Sequence, residues 1–145
     1  MARTSTYLNF SRNTEEAFNF YKTVFGTEFR DTGIRRFKDI PPSPYMPPID
    51  EADANLVMHV ELPITGGHIL MGTDAPQSMG FSVVHGNGIS INLEPDSKEE
   101  ADRLFAGLSH EGKITMPLQD VFWGAYFGSC TDKFGINWMV NFGEK

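Results

Sequence analysis

The sequence predicts an α+β fold made of two βαβββ modules in one domain spanning 1–145. Three observations carry this: two amphipathic helices of the same design, a constant spacing between them, and strand-like segments placed alike around each. The helix stripes Ala17, Phe20, Tyr21 and Ala101, Leu104, Phe105 lie 84 residues apart, position by position. The strings Thr-Glu-Glu-Ala and Lys-Glu-Glu-Ala align there without a gap, as an internal duplication would leave them.

The first helix opens at Asn13-Thr14-Glu15-Glu16, where Asn13 is suited to cap free backbone N–H groups and Glu16 to reach back in a capping box. Ala17, Phe20, Tyr21 and Val24 follow at i, i+3, i+4 and i+7, an apolar stripe that needs a surface to cover. Gly26 stops it in the left-handed position that ends many helices. The second helix begins at Ser97 with Glu100, carries Ala101, Leu104, Phe105 and Leu108, and stops at Gly112. Strands are expected at 4–10, 28–37, 55–62 and 67–72, and again at 89–94, 113–118, 125–130 and 136–142. All are segments enriched in β-branched and aromatic residues. The first module covers about 1–75 and the second about 88–145.

Two stretches break the pattern. Ile40 to Pro48 holds five of the nine prolines and cannot be a central strand. Pro76 to Gly88 is rich in turn formers and sits where one half hands over to the other. Each reads either as a surface connection or as a lid over a pocket.

Composition limits the function. Hydrophobic residues make up 40% of the 145 and aromatics 12%, enough for one compact domain to bury its own core. With 12 Lys and Arg against 19 Asp and Glu, the net charge of -7 repels nucleic-acid phosphates and anionic lipids. Neither nucleic acid nor membrane is expected as a partner. Cys130 is the only cysteine, so neither an intrachain disulfide nor a Cys-rich metal site is possible. Its two readings are a small core side chain and a nucleophile, and the absence of a nearby His in sequence favours the first. No apolar run approaches the roughly 18 residues of a membrane span, and no leader-like segment opens the chain, so a cytoplasmic protein is expected.

From Asn13 to Phe29, Asn-Thr-Glu-Glu-Ala-Phe-Asn-Phe-Tyr-Lys-Thr-Val-Phe-Gly-Thr-Glu-Phe resembles the opening helix of glyoxalase, bleomycin-resistance and extradiol-dioxygenase proteins. These form the vicinal oxygen chelate superfamily. From Asp120 to Asn141, Asp-Val-Phe-Trp-Gly-Ala-Tyr-Phe-Gly-Ser-Cys-Thr-Asp-Lys-Phe-Gly-Ile-Asn-Trp-Met-Val-Asn resembles the PhnB-like subgroup, often labelled 3-demethylubiquinone-9 3-methyltransferase-like. Met58-His59-Val60-Glu61-Leu62 and Gly72-Thr73-Asp74 also sit where that subgroup has similar strings. The resemblance implies an open barrel-like cavity between curved sheets, completed in a homodimer, with four strand positions supplying His and Glu ligands to a divalent ion in metal-using members. Here those positions fall at or beside Thr6, near Met71, near Ile89 or Ser90, and at Met139, none of them a good ligand for such a cation. No metal and no cofactor is expected. A methyl-donor nucleotide would need a Gly-rich turn leading from strand to helix, whereas Gly86-Asn87-Gly88 leads into a strand.

The cavity lining expected on this basis is Thr6, Met71, Ser90, Asn92, Met139 and Asn141, with Trp123 and Phe122 as an aromatic wall or as core. His59 and Glu61 share a strand face and form a candidate acid–base pair, the alternative being a structural histidine. His68 and His85 read as edge residues, and His110 as a helix end. Asp74, Asp120 and Asp132 are candidates for bracing turns. Two function classes follow: a protein that binds or sequesters a small molecule without metal, and an enzyme of glyoxalase or dioxygenase type using a displaced divalent metal or His59 with Glu61.

Overall fold

The structure is a computed structural model that describes residues 1–41, 44 and 48–143. Most of the Pro-rich stretch, including Pro42, Tyr45, Met46 and Pro47, therefore lies outside the described residues. The chain divides into two compact units, Met1–Val83 and Val84–Lys145.

In the first unit, β1 (Thr6–Phe10) leads to α1 (Thr14–Phe25), then β2 (Arg35–Arg36), β3 (Val57–Pro63) and β4 (Ile69–Asp74). The sheet order is β1-β4-β3-β2, with β1 parallel to β4 and the other pairs antiparallel. In the second, β5 (Ile91–Leu93) leads to α2 (Lys98–Ser109), then β6 (Lys113–Asp120), β7 (Ala125–Thr131) and β8 (Asn137–Gly143). The order β5-β8-β7-β6, with only β5 and β8 parallel, repeats the first topology. The α+β fold and the βαβββ repeat are thus present in both halves.

Each helix lies on one face of its own sheet, α1 against β3 and β4, and α2 against β6, β7 and β8. The face of α1 differs from the expected stripe. Thr14, Ala17, Phe18, Tyr21 and Val24 are buried, while Phe20 is only half-buried. The apolar face begins at Thr14, whose hydroxyl is not exposed because it bonds the buried Asp74. Phe18 then points at Gly72, where any Cβ would overlap the edge of its ring. In α2 the expected stripe is the buried one, Ala101, Leu104, Phe105 and Leu108. Here Phe105 fills the equivalent role: a Cβ on Gly128 would sit 2.9 Å from its ring and 2.8 Å from the Leu118 Cα.

The caps also depart from expectation. Asn13 makes no side-chain capping bond, and the Asn13–Glu16 capping box does not form. Asp74 takes that place by accepting from the Thr14 N–H at 3.0 Å and the Thr14 hydroxyl at 2.7 Å, and it holds the Val57 N–H at 2.8 Å as well. Ser97 does cap α2, accepting from the Glu100 N–H at 3.1 Å. Gly26 ends α1 at φ 67° as expected, but Gly112 is not a left-handed stop. Helix α2 ends at Ser109, the positive φ falls on Glu111, and Gly112 is small because a Cβ would run into the Thr131 carbonyl.

The strand expected over 28–37 shrinks to Arg35–Arg36. Asp31 and Gly33 take positive φ, and the Gly33 N–H closes a turn on the Arg30 carbonyl at 3.1 Å. Asp-Thr-Gly is a turn-forming sequence, and that local preference overrides the aromatic and branched residues around it. Where β2 meets β3, Arg35 pairs with His59 but Arg36 with Val57, so Met58 is an extra, bulged residue.

The ring of Phe18 is fully buried and has nowhere to retreat from a new methyl group. Gly72→Ala should therefore lower stability in urea unfolding by about 1–3 kcal/mol. Gly88→Ala, at a site with open space and no positive φ, should be nearly neutral.

Candidate functional site

Strand alternation decides which side chains face away from the helices. In the first sheet Gly72 faces Phe18 of α1, so its partner Val60, and with it Leu62 and Leu70, face the helix too. The uncovered face then carries Glu61 and Met71, which pair with each other, and Tyr7, which pairs with Met71 from the other side. His59 lies two residues before Glu61 on the same face. Thr6 pairs with Leu70 and so falls on the opposite face from Tyr7, with its hydroxyl 2.9 Å from the His68 Nε2.

These side chains form one hydrogen-bonded line. The His59 Nε2 is 2.9 Å from the Glu61 Oε2, and its Nδ1 is 3.2 Å from the Tyr7 hydroxyl. A carboxylate can only accept, so Nε2 carries a proton; whenever the ring is neutral, Nδ1 then accepts from the Tyr7 O–H. Glu61 is held in turn by Arg30 at 3.5 Å and Arg3 at 3.9 Å. The His59 hydrogen bond, followed by the His59, Arg30 and Arg3 charges, holds the Glu61 carboxyl below its ordinary range against the opposing effect of burial. Burial, helped by the Glu61 charge, raises the Tyr7 phenol, while a Thr73 hydrogen bond opposes the shift. Side-chain exposures of 26% for His59 and 18% for Glu61 leave both reachable from solvent yet partly dry.

Along the sheet edge, Arg35 is the register partner of His59 and donates from Nε to the Thr32 hydroxyl at 3.1 Å. It also lines a groove of about 580 Å³ with Thr32, Ile34, Asp39, Ile40, Pro41 and Met58.

In the second sheet, Val140, Gly128, Cys130 and Trp138 face α2, and Asn92, Met139 and Ser129 form a row on the uncovered face. Asn141 pairs with Phe127 on that face. The Trp123 ring meets Phe127 edge-on, centroids 5.9 Å apart, and Phe122 packs on Trp123 while remaining almost wholly exposed. Neither aromatic is core. Ser90 precedes β5 and is exposed. The Gly86–Ile89 turn beside it is anchored by the Asn137 amide, which donates to the Gly86 and Ile89 carbonyls at 3.0 Å each. Met71, His59 and Glu61 are therefore brought together in the first unit, and Asn92, Met139, Asn141 and Trp123 in the second.

Tyr7, Arg30, Arg35, Ser129 and Phe127 were not singled out by sequence reasoning. Tyr7 was within reach of it, since alternation from the apolar Leu8 and Phe10 puts Tyr7 on the other face. The other candidates resolve as structural. Asp132 is buried and accepts from the Phe134 and Ile136 N–H groups at 2.8 and 3.1 Å and from the Trp138 indole at 2.8 Å. Asp120 is exposed, 3.5 Å from Lys98. Cys130 is buried, and burial pushes its thiol up to about 11, which suits packing and not nucleophilic attack. His110 is the cap residue of α2 and pairs with Glu111 at 3.1 Å. His85 packs against Gly135 in its own unit.

Residues 2–141 match the sequence profile of 3-demethylubiquinone-9 3-methyltransferase. The chain belongs to that family. It is 30% identical over 142 residues to Protein YjdN of Escherichia coli (strain K12), across 94% of this chain and 92% of that one. Among solved structures it resembles protein PA1353 from Pseudomonas aeruginosa, with 34% identity, TM-score 0.81 and complete coverage of both chains. The putative 3-demethylubiquinone-9 3-methyltransferase, PhnB protein, from Bacillus cereus gives 26% identity and TM-score 0.74 over 98% of this chain and 100% of that one. A glyoxalase/bleomycin resistance/dioxygenase family enzyme from Burkholderia phytofirmans PsJN, at 18% identity and TM-score 0.60 over 96% and 98%, shares the fold.

The PhnB-like assignment and the glyoxalase/bleomycin-resistance/dioxygenase fold therefore stand. In this member of the 3-demethylubiquinone-9 3-methyltransferase family, no described helix is long and apolar enough to cross a membrane.

Proposed function

We propose that this protein binds a small molecule on the uncovered sheet faces of its βαβββ units, without a metal ion. The observation that carries this reading is the Tyr7–His59–Glu61 line on a face that its own helix leaves open. A histidine kept only for packing has no need of a carboxylate fixed by two arginines and a tyrosine on its other nitrogen. Such an arrangement orients a polar ligand and sets its hydrogen-bonding pattern. The uncovered face of the second unit carries, by itself, neutral amides, a thioether and an aromatic surface in Asn92, Asn141, Met139 and Trp123.

The metal-free part rests on donor chemistry. A divalent ion needs several anionic or imidazole donors on one point to offset its lost water. Thr6, Met71, Ser90 and Met139 offer neutral hydroxyls and thioethers, and among the described residues no three His, Cys, Asp or Glu side chains are grouped to hold an ion. These residues do not fit the superfamily's ion. Methyl transfer is not part of the proposal either, because the strand-to-helix connections Ser11-Arg12-Asn13 and Glu94-Pro95-Asp96-Ser97 contain no glycine to cradle a nucleotide.

A homodimer in the cytoplasm completes the reading. In support, the second unit exposes Phe122, Val84, Ile89, Trp123 and Ile114, each at least half exposed, and Phe122 packs on Trp123 as an apolar pair that a second copy would cover. Light scattering at micromolar concentration should give twice the chain mass; the monomer mass would overturn this part.

The binding claim is tested by a thermal-shift screen of metabolites with elemental analysis of the same protein. A hit at a hundred times its Kd should stabilise by about 2.7 kcal/mol and raise the melt by roughly 5–10 °C. His59→Ala should keep a cooperative melt and lose that response. A screen with no hits, a His59→Ala protein that fails to fold, or stoichiometric metal would each contradict the reading.

A further inference from the structure

We propose that Tyr7 is the ligand-facing end of a proton relay through His59 to Glu61, and that the ligand it serves carries a weakly acidic hydroxyl of the phenol or enol class. This deepens the small-molecule reading above and rests on it. The direction of the relay follows from the hydrogen bonds. Glu61 fixes the proton of His59 on Nε2 at 2.9 Å, which leaves Nδ1 as an acceptor 3.2 Å from the Tyr7 oxygen. The phenol proton thus goes to His59; Thr73, whose hydrogen bond opposes the rise of the Tyr7 phenol, takes one lone pair of the Tyr7 oxygen, and the other is left to accept. An incoming group that only accepts hydrogen bonds gains nothing there; one that donates completes the line.

The proton balance is simple. The ligand O–H gives its proton to the Tyr7 oxygen as the Tyr7 proton passes to His59 Nδ1. The ligand becomes an oxyanion, Tyr7 is again a neutral phenol that donates to it, and His59 becomes an imidazolium beside the Glu61 carboxylate. Glu61 is already an anion held by Arg30 and Arg3, so the new cation meets a preformed counter-charge. Arg35, the register partner of His59, adds a further positive charge on the same strand pair, and among the described residues it has no carboxylate within ion-pair distance. An ordinary alcohol holds its proton too strongly for imidazole to take it, whereas a phenol or enol is matched to the relay. Tyr7 is half exposed, at the more open end of a line whose His59 and Glu61 are part-buried.

The test uses 4-nitrophenol, whose phenolate is coloured, with 4-nitroanisole as the same ring lacking the proton. Both are titrated into the wild-type chain and into Tyr7→Phe below the pH at which free 4-nitrophenol ionises. The relay predicts that the wild type binds 4-nitrophenol as the coloured phenolate, at least tenfold tighter than 4-nitroanisole. Tyr7→Phe should keep the wild-type melt, lose the colour and bind the two probes alike. Equal binding of both probes by both proteins would overturn the relay and leave the small-molecule reading intact. Colour that survives in Tyr7→Phe would remove Tyr7 from the relay. Failure of 4-nitrophenol to bind the wild type overturns the phenol class, and if the metabolite screen is also blank, the binding reading falls with it.

Discussion

The carboxylate of Asp74 is the constraint on which the first unit depends. It is buried, it sits at the end of β4, and it accepts three hydrogen bonds: two from Thr14 at the start of α1 and one from Val57 at the start of β3. A buried anion without partners would cost several kcal/mol, and each donor left without it would cost about 1–3 kcal/mol, so the cluster forms as a unit. By tying the helix start to two neighbouring strands it sets which side of the sheet α1 covers. Phe18 then meets Gly72, and every alternate residue of β3 and β4 is committed to the helix side. Tyr7, His59, Glu61 and Met71 face outward because of that choice. Asp132 does comparable work in the second unit, binding the β7–β8 turn and the Trp138 indole.

The two units share a topology but not a chemistry. On the uncovered face of the first sheet lie a phenol, an imidazole and a carboxylate, with arginines around them. The second offers Asn92, Asn141, Ser129 and Met139 beside Trp123 and Phe127, none of which titrates near neutral pH. The fold is common to many functions, so the side chains on these faces, and not the topology, carry the functional argument.

Much of this was legible in the sequence, and the errors have identifiable causes. Helix positions, their repeat and the strand pattern followed from apolar spacing and the Ser97 and Gly26 signals. Phe18 was missed in favour of Phe20 because the buried face of α1 starts on a threonine, and its burial depends on a carboxylate 60 residues away in sequence. Asn13 lost its capping role to the same carboxylate. Thr6 stood in for Tyr7 because a strand position placed from the first helix depends on the length of the connection between them, which the helix pattern does not fix. Phe10 and Leu93, each the last buried residue of its strand, are 83 apart, the second connection being one residue longer. One residue in a strand reverses the face, so an error invisible in a helix alignment changes which side chain joins the site. The His59–Glu61 pair was legible because it lies within one strand; Arg3, Arg30 and Arg35 come from other segments that only the fold brings near.

The state of the His59 ring in the free protein is the most direct test of this account. Long-range ¹H–¹⁵N correlation spectra of the ring, recorded at a pH where it is neutral, distinguish its two tautomers. The Tyr7–His59–Glu61 line predicts a single tautomer with the proton on Nε2 and an accepting Nδ1, and loss of that preference in Glu61→Gln. A proton on Nδ1, or the tautomer mixture of a free imidazole, would contradict it.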